Sequence, residues 1–175
     1  MLVQLSEIMN INDGVRKMTV PIEFDTFELN GNTYKVHEKD SVQLTIKNLG
    51  NRKVLIDAKT NLSLYVPCDR CLKPVLIPFD IDTSKEIDFN LTTEQRTEDL
   101  DETTFITGYE LDVDRLICEE VLIGFPMKVL CKDDCKGFCK VCGANLNDGE
   151  CGCDRTELDP RMSVIRDIFN NFKEV

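Results

Sequence analysis

The sequence predicts an α+β protein with an antiparallel β-sheet or open barrel in its N-terminal part, followed by amphipathic helices and a Cys-rich tail ordered by zinc. Three observations lead to this class. Apolar residues alternate at every second position in the first half of the chain, which is the period of a β-strand. Later segments carry apolar residues at helical spacing. Nine cysteines accompany a single histidine in 175 residues.

The strand pattern is clearest in residues 54–66, where seven successive even positions suit one face of a sheet. These positions hold Val54, Ile56, Ala58, Thr60, Leu62, Leu64 and Val66. The alternation also runs through residues 42–46 and 75–81. Strands with one apolar face are typical of antiparallel sheets. We therefore assign residues 1–91 to an antiparallel β domain that includes a C-x2-C hairpin.

Turn residues divide this domain into strands. Asn30-Gly31 is a dipeptide favoured in two-residue hairpins. Residues 48–51 predict a turn between two alternating runs. Ile22, Phe24 and Phe27 predict an earlier strand.

Residues 92–110 are predicted to be an acidic connector. Residues 92–104 hold five acidic side chains against Arg96 alone and show no apolar period. The remaining region, residues 111–175, contains two predicted helices around a Cys-rich segment. The first runs between Asp112 and Gly124, and its apolar stripe is formed by Val113, Leu116, Ile117 and Val121. The second begins at Asp159 and Pro160, and its stripe is formed by Val164, Ile165, Ile168 and Phe169.

The Cys-rich segment predicts a zinc site made of four thiolates. Two cysteines separated by two residues can curl around one ion, and Gly143 after such a pair can adopt a left-handed conformation. A second close pair follows, with glycine between its two cysteines. The four predicted ligands are Cys139, Cys142, Cys151 and Cys153.

Four further cysteines predict a second zinc site. They are Cys68, Cys71, Cys131 and Cys135. The spacing leaves alternatives open, because Cys135 could replace Cys151 in the tail site, and the 68–71 pair could be unliganded. The prediction is therefore one or two structural zinc ions per chain. No export signal is present at the N-terminus, which favours a reducing, cytoplasmic location where clustered cysteines bind metal more often than they form disulfides.

The other reactive side chains predict no catalytic site. The C-x2-C pair at residues 68–71 could be a thiol redox pair, but such pairs normally open a helix, and this one lies between two strand patterns. Cys118 stands on an apolar helical stripe and is predicted to be a buried core residue. His37 lies in a polar stretch and is predicted to be a surface residue. We therefore expect a protein that is not an enzyme and has no small-molecule substrate.

The charge balance limits the partners. The formal net charge is -11, which argues against binding nucleic acid through the bulk surface. Each Zn²⁺ with four thiolates contributes a net -2, so one site gives -13 and two give -15. Four lysines recur every fourth residue from Lys128 to Lys140, but acidic residues interrupt the row. Apolar runs are far too short to span a membrane, so no membrane partner is expected.

Several motifs together resemble the YceD family of bacteria and plastids. The resemblance is carried by C-D-R-C-L at residues 68–72, by C-x2-C-G-x-N-L-N-x3-C-x-C at residues 139–153, and by Asp159-Pro160-Arg161. It implies a role in accumulation or processing of large-subunit ribosomal RNA, and hence in ribosome assembly. It implies no catalytic residue.

The expected function is therefore that of a non-enzymatic accessory factor for the large ribosomal subunit, with structural zinc. The expected partners are a ribosomal protein or a pre-ribosomal particle, with local contact to large-subunit ribosomal RNA. One alternative is a zinc-stabilised interaction module or chaperone for a basic ribosomal protein, without RNA contact. A second alternative is a thiol redox protein.

Overall fold

A computed structural model of the chain describes residues 1–11, 13–91 and 104–153. The structure contains two compact units. Of the described residues, the first holds those within Met1–Pro67 and Pro74–Val129, and the second holds Cys68–Lys73 and residues 130–153. The division predicted from sequence, into residues 1–91, 92–110 and 111–175, stays a prediction.

The first unit consists mainly of β-strands. Its elements in chain order are β1 (Leu2–Gln4), α1 (Ser6–Met9), β2 (Val15–Val20), β3 (Thr26–Leu29), β4 (Asn32–Lys39), β5 (Val42–Gly50), β6 (Lys53–Pro67), β7 (Pro74–Asp88), β8 (Ile106–Thr107), β9 (Glu110–Asp112) and α2 (Val113–Ile123). Within the described residues, each of these helices is too short to cross a lipid bilayer.

The strands form two antiparallel sheets. The larger sheet has six strands in the order β2-β5-β6-β4-β3, with β7 paired along the whole length of β6. The smaller sheet has three strands in the order β1-β9-β8. The predicted antiparallel β part of the fold is thus confirmed, although the described chain contains more strand and less helix than an even α+β mixture.

One face of β6 forms the centre of the hydrophobic core. All seven even positions from Val54 to Val66 are buried, as the alternation predicts. The matching residues of β5 and β7 are buried on the same side: Val42, Leu44, Ile46, Phe79 and Ile81. Period-two patterning predicts this core correctly because a strand points alternate side chains to opposite faces.

The hairpin turns follow the predicted residues in one case and shift in the other. Asn30 and Gly31 join β3 to β4 with φ of 51° and 78°, as the dipeptide predicts. Between β5 and β6 the turn lies at Asn51 and Arg52, with φ of 49° and 60°, and not across residues 48–51. The reason is Asn48, whose buried Nδ2 donates to three carbonyl oxygens in residues 8–11 and keeps this residue in β5.

The predicted strand around Ile22 and Phe24 is wrong. Both residues lie in the irregular connection between β2 and β3, and only Phe27 belongs to a strand. The connection begins with Pro21, which has no N–H group for a strand ladder. Ile22 is nevertheless buried, so its apolar side chain serves the core without strand geometry.

The predicted helix before the Cys-rich segment is confirmed as α2. The Asp112 side chain accepts a hydrogen bond from the Arg115 N–H, and Gly124 caps the C-terminal end. Just before it, β8 and β9 occupy part of the predicted acidic connector. Residues 92–103 of that connector and the predicted helix from Asp159 lie outside the described residues.

Candidate metal centres

The first C-x2-C motif forms a tight turn in the second unit. Cys68 and Lys73 close the turn through a hydrogen bond of 2.9 Å from the Cys68 N–H to the Lys73 carbonyl. The Leu72 N–H donates to the Cys68 carbonyl at 2.9 Å, and Leu72 itself has a left-handed φ of 61°. The turn places both Cys68 and Cys71 in buried positions.

Two cysteines from the tail complete a first group with this turn. The Cys68 Sγ lies 3.8 Å from the Cys135 Sγ, and the Cys71 Sγ lies 3.5 Å from the Cys131 Sγ. All four sulfur atoms lie within 4.8 Å of one another. Four sulfurs at about 2.3 Å from a tetrahedral Zn²⁺ lie about 3.8 Å apart, so this spacing fits a metal ion. It is far beyond the roughly 2.05 Å of a disulfide bond.

Arg70 and Asn147 hold the Cys135 ligand in place. The Arg70 Nη1 donates to the Cys135 carbonyl at 2.8 Å, and the Asn147 Nδ2 donates to the Cys135 Sγ at 3.4 Å. Asn147 is itself fixed, because its Oδ1 accepts from the Lys136 N–H at 2.9 Å. Such indirect contacts orient metal ligands and adjust their basicity.

Gly137 permits the close approach of the two segments of this unit. It has a φ of 80°, and a Cβ added there would lie 3.0 Å from the Arg70 carbonyl oxygen. The sequence alone gives Gly137, Arg70 and Asn147 no role at a metal site. Arg70 and Asn147 do lie within the motifs that resemble the YceD family. That resemblance is the sequence feature that could have indicated a role for them.

The second C-x2-C motif repeats the geometry of the first. The Gly143 N–H donates to the Cys139 carbonyl at 2.8 Å, and Gly143 has a left-handed φ of 74°. Gly143 is therefore the counterpart of Leu72. The Cys139 N–H donates to the Ala144 carbonyl at 2.8 Å and closes the loop.

Two later cysteines complete a second group with this turn. The sulfur atoms of Cys139, Cys142, Cys151 and Cys153 all lie within 4.8 Å of one another. Gly152, with a φ of 66°, allows Cys151 and Cys153 to point to the same side. The structure thus brings together the two sets of four cysteines in the same groups that the spacing predicts, and it keeps Cys135 with the first group.

Backbone N–H groups favour the thiolate form of Cys68 in the first group and of Cys139 in the second. Burial raises the pKa of Cys68, but N–H groups of Arg70, Cys71 and Cys131 donate to its sulfur and lower the pKa to about 6. The N–H groups of Cys142 and Val141 lower the pKa of Cys139 to about 6. The lowered pKa values make these two sulfurs negatively charged at neutral pH, which favours the binding of a cation.

Crowding of the sulfurs has the opposite effect on other members. Burial, together with the neighbouring thiols, raises the pKa of Cys131 to about 12. The close sulfurs of Cys142 and Cys151 raise the pKa of Cys153 to about 12. Four thiolates this close repel one another, so full ionisation needs a positive ion among them. Both groups can therefore hold a metal ion, and soft sulfur donors in a tetrahedral set suit Zn²⁺.

The remaining candidates lie outside both groups. Cys118 is half-buried in α2 and packs against the core, and burial raises its pKa to about 11. His37 packs its ring against Tyr65, with ring centres 4.8 Å apart, and its Nε2 lies 3.8 Å from Glu38. Among the described residues, neither belongs to a group of three or more potential ligands.

Comparison with known proteins identifies a family. The profile of the family described as "Large ribosomal RNA subunit accumulation protein YceD" matches residues 56–169, which include all eight grouped cysteines. The chain is 40% identical over 65 residues to "Large ribosomal RNA subunit accumulation protein YCED homolog 1, chloroplastic" of Arabidopsis thaliana. That match covers 37% of this chain and only 20% of the Arabidopsis protein.

A bacterial relative matches over a longer stretch. The chain is 23% identical over 128 residues to "Uncharacterized protein YlbN" of Bacillus subtilis (strain 168), with 73% of each chain covered. No solved structure matched the chain. Because the family profile covers well over half of the residues, the chain belongs to the YceD family.

Proposed function

We propose that this protein is a non-enzymatic accessory factor in the accumulation and processing of large-subunit ribosomal RNA, and so in ribosome assembly. The observation that carries the proposal is the family match over residues 56–169, since the family's description refers to accumulation of the large ribosomal RNA subunit. The matched segment includes the long β6–β7 pair and every cysteine of both groups.

The metal in the proposal is Zn²⁺ with a structural role, one ion for each group. Its support is the spacing of the sulfurs and the donor set of four thiolates. Metal binding and local folding are linked in sites of this kind, because the ligands come from separate loops. Removing zinc should therefore unfold the second unit from residue 131 to residue 153.

We propose no catalytic role for the metal sites, because four protein ligands would complete the coordination of each ion. A tetrahedral ion with four protein ligands has no open position at which water or substrate could be activated. The crowded thiols would be bound to metal and unavailable for disulfide exchange. The thiol redox alternative is therefore not favoured.

The partner in the proposal is a basic ribosomal protein or a pre-ribosomal particle in the cytoplasm, with local contact to RNA. The formal net charge of -11, and -15 with two zinc ions, favours a basic partner. Three lysines of the second unit, Lys132, Lys136 and Lys140, are available for local RNA contact, although Lys132 lies 3.7 Å from Asp134. The alternative of a protein-only module rests on the same negative charge.

The experiment that tests the proposal is sedimentation of tagged protein from its own cells through a sucrose gradient, with quantification of large-subunit ribosomal RNA. We expect the wild type to co-sediment with large-subunit precursors, and depletion to lower large-subunit RNA relative to small-subunit RNA. Ribonuclease treatment before capture separates the two partner types, because a protein-only partner remains bound.

A double variant, Cys139→Ser with Cys142→Ser, should fail to restore the RNA level. Cys118→Ala is the matched control, because it also removes a thiol but leaves both groups complete, and it should restore the level. An unchanged ratio of large- to small-subunit RNA after depletion would refute the proposed function.

A further inference from the structure

A cleft in the six-stranded sheet lies where β6 changes its partner strand. β6 pairs with β5 up to Lys59 and with β4 from Leu62 onward. The cleft has a volume of about 330 Å³. The residues of its lining that matter here are Glu38, Asp40, Asn61, Ser63, Pro78 and Asp80.

The hydroxyl group of Ser63 is buried in this cleft without a partner. Ser63 is only 9% exposed, although its odd position in β6 places it opposite the even positions that form the core. Its Oγ makes no hydrogen bond within the described residues. Buried polar groups in folded proteins are almost always hydrogen-bonded, so this hydroxyl calls for a donor or acceptor from another molecule.

Three carboxylates, those of Glu38, Asp40 and Asp80, line the same cleft as this hydroxyl, and the nearby lysines donate to other groups. Lys39 also lines the cleft, but its Nζ donates to the Asp25 carboxylate and to the Phe24 carbonyl, both at 2.8 Å. Lys59, whose charge also acts on Asp80, donates to the Asp82 carboxylate at 2.7 Å.

The carboxylates themselves have weak partners. From the described residues, the Asp40 carboxylate accepts only a long bond of 3.5 Å, from the Asn61 Nδ2. The Asp80 carboxylate makes no hydrogen bond or ion pair shorter than 4.0 Å in the described part of the chain. The cleft therefore carries an excess of negative charge around a buried acceptor.

The spacing of these groups suits an extended cation better than a metal ion. In the described chain, only the two cysteine groups bring three or more potential ligands within 4.8 Å of one another. The carboxylates of the cleft are thus too far apart to share one small ion. A guanidinium is planar, carries five N–H donors and can reach several acceptors at once, whereas an ammonium is a compact charge.

We propose that this cleft binds the arginine side chain of a basic protein partner. The guanidinium would donate to Asp40 and Asp80 and to the Ser63 Oγ, and the Asn61 Oδ1 would be a further acceptor. The choice of a basic protein rests on the proposed function, which this inference deepens by naming a contact site. The cleft lies in the first unit, so the inference does not depend on the metal content of the second.

The test uses the full, metal-loaded chain and a peptide with one cationic residue, acetyl-Gly-Arg-Gly-amide. We expect saturable amide shifts in ¹⁵N spectra, centred on Asn61, Ser63 and Asp80, at low ionic strength. The same peptide with citrulline, which is nearly isosteric but neutral, should cause no saturable shift. A lysine peptide should bind at least several-fold more weakly, because it loses the planar donor set.

Isosteric variants distinguish specific binding of the arginine peptide in the cleft from its general attraction to a negatively charged protein. Asp80→Asn and Asp40→Asn should each weaken binding of the arginine peptide about tenfold, as expected for loss of a charge-assisted hydrogen bond. Glu28→Gln is the matched control, because it removes one exposed negative charge of β3 outside the cleft, and it should change the affinity less than twofold.

Either of two results would overturn the inference. The first is equal weakening by Asp80→Asn and Glu28→Gln, which would indicate bulk electrostatics. The second is the absence of cleft shifts at saturating peptide. Co-sedimentation of the same Asp80→Asn protein with large-subunit precursors is measured separately. A failed peptide test with normal sedimentation refutes the cleft alone, whereas lost sedimentation of the wild type refutes the proposed function alone.

Discussion

Replacing Gly143 by alanine tests whether the left-handed turn after the second C-x2-C motif controls metal affinity. Gly143 has a φ of 74°, and a Cβ added there would meet no atom within 4 Å. The cost of the substitution is therefore conformational and not steric. A left-handed L-residue costs about 1–2 kcal/mol, and because this turn forms together with the metal site, the cost falls on metal binding.

The expected result is a loss of affinity at one of the two sites. A cost of about 1–2 kcal/mol corresponds to a decrease of about five- to thirtyfold in the binding constant for zinc. Competition with a chromophoric chelator measures this binding constant, because the chelator concentration at which each zinc ion is released reports the affinity of its site. We expect one ion to leave Gly143→Ala more easily and the other to leave as in the wild type.

Gly108 provides the matched control. It has a φ of 60° between β8 and β9, and a Cβ there would also meet nothing within 4 Å. Gly108→Ala should lower the stability of the first unit by a similar amount and leave both zinc affinities unchanged. If Gly143→Ala binds both zinc ions as tightly as the wild type, the argument that this turn forms with the metal site is wrong.

Three further predictions test other parts of the structure. Asn147→Ala removes the hydrogen bond to the Cys135 Sγ and should weaken zinc binding at the first group by about 10- to 100-fold in the same chelator competition. Weaker binding at the second group instead would contradict the role of Asn147 in the first group. Leu116→Ala should lower the free energy of unfolding, measured in urea, by about 2–5 kcal/mol, because Leu116 is fully buried. Leu122→Ala, on the exposed side of α2, should change it by less than about 0.5 kcal/mol. Similar losses in the two variants would contradict the burial of this face of α2. Hydrogen bonds from Lys47 and Ser84 lower the pKa of Asp57 below its ordinary value of 3.8, so the ionised carboxylate stabilises the fold above that pH and the stabilisation is lost as the pH falls through the folded pKa. Asp57→Asn should therefore lower the free energy of unfolding at pH 7 and change it little at strongly acidic pH. An equal loss at both pH values would refute the predicted direction of the pH dependence.

The sequence predicts the centre of the fold and both cysteine groups well. The strand at residues 54–66 can be predicted because strand periodicity is a local property of the sequence. The Asn30-Gly31 turn can be predicted because few residue types readily adopt a positive φ. The spacing of the cysteines, with the four ligands that one zinc ion needs, favours these two groups but leaves the place of Cys135 open, and the structure puts Cys135 in the first group.

The parts that sequence alone did not predict depend on contacts between distant residues. β8 and β9 have two and three residues, too few for a periodic pattern, and β9 is fixed by pairing with β1 at the start of the chain. The shift of the β5–β6 turn depends on Asn48 and its contacts to residues 8–11. The contacts of Arg70 and Asn147 to Cys135 likewise join residues that are far apart or separated by loops.

The central claim is that two groups of four cysteines each hold a structural zinc ion. The most direct measurement is the metal content of the native protein by elemental analysis, with the protein concentration determined by amino-acid analysis. We expect two zinc ions per chain in the native protein, one in the Cys139→Ser, Cys142→Ser double variant, and two in Cys118→Ala. A native protein that contains fewer than two zinc ions per chain would contradict this expectation.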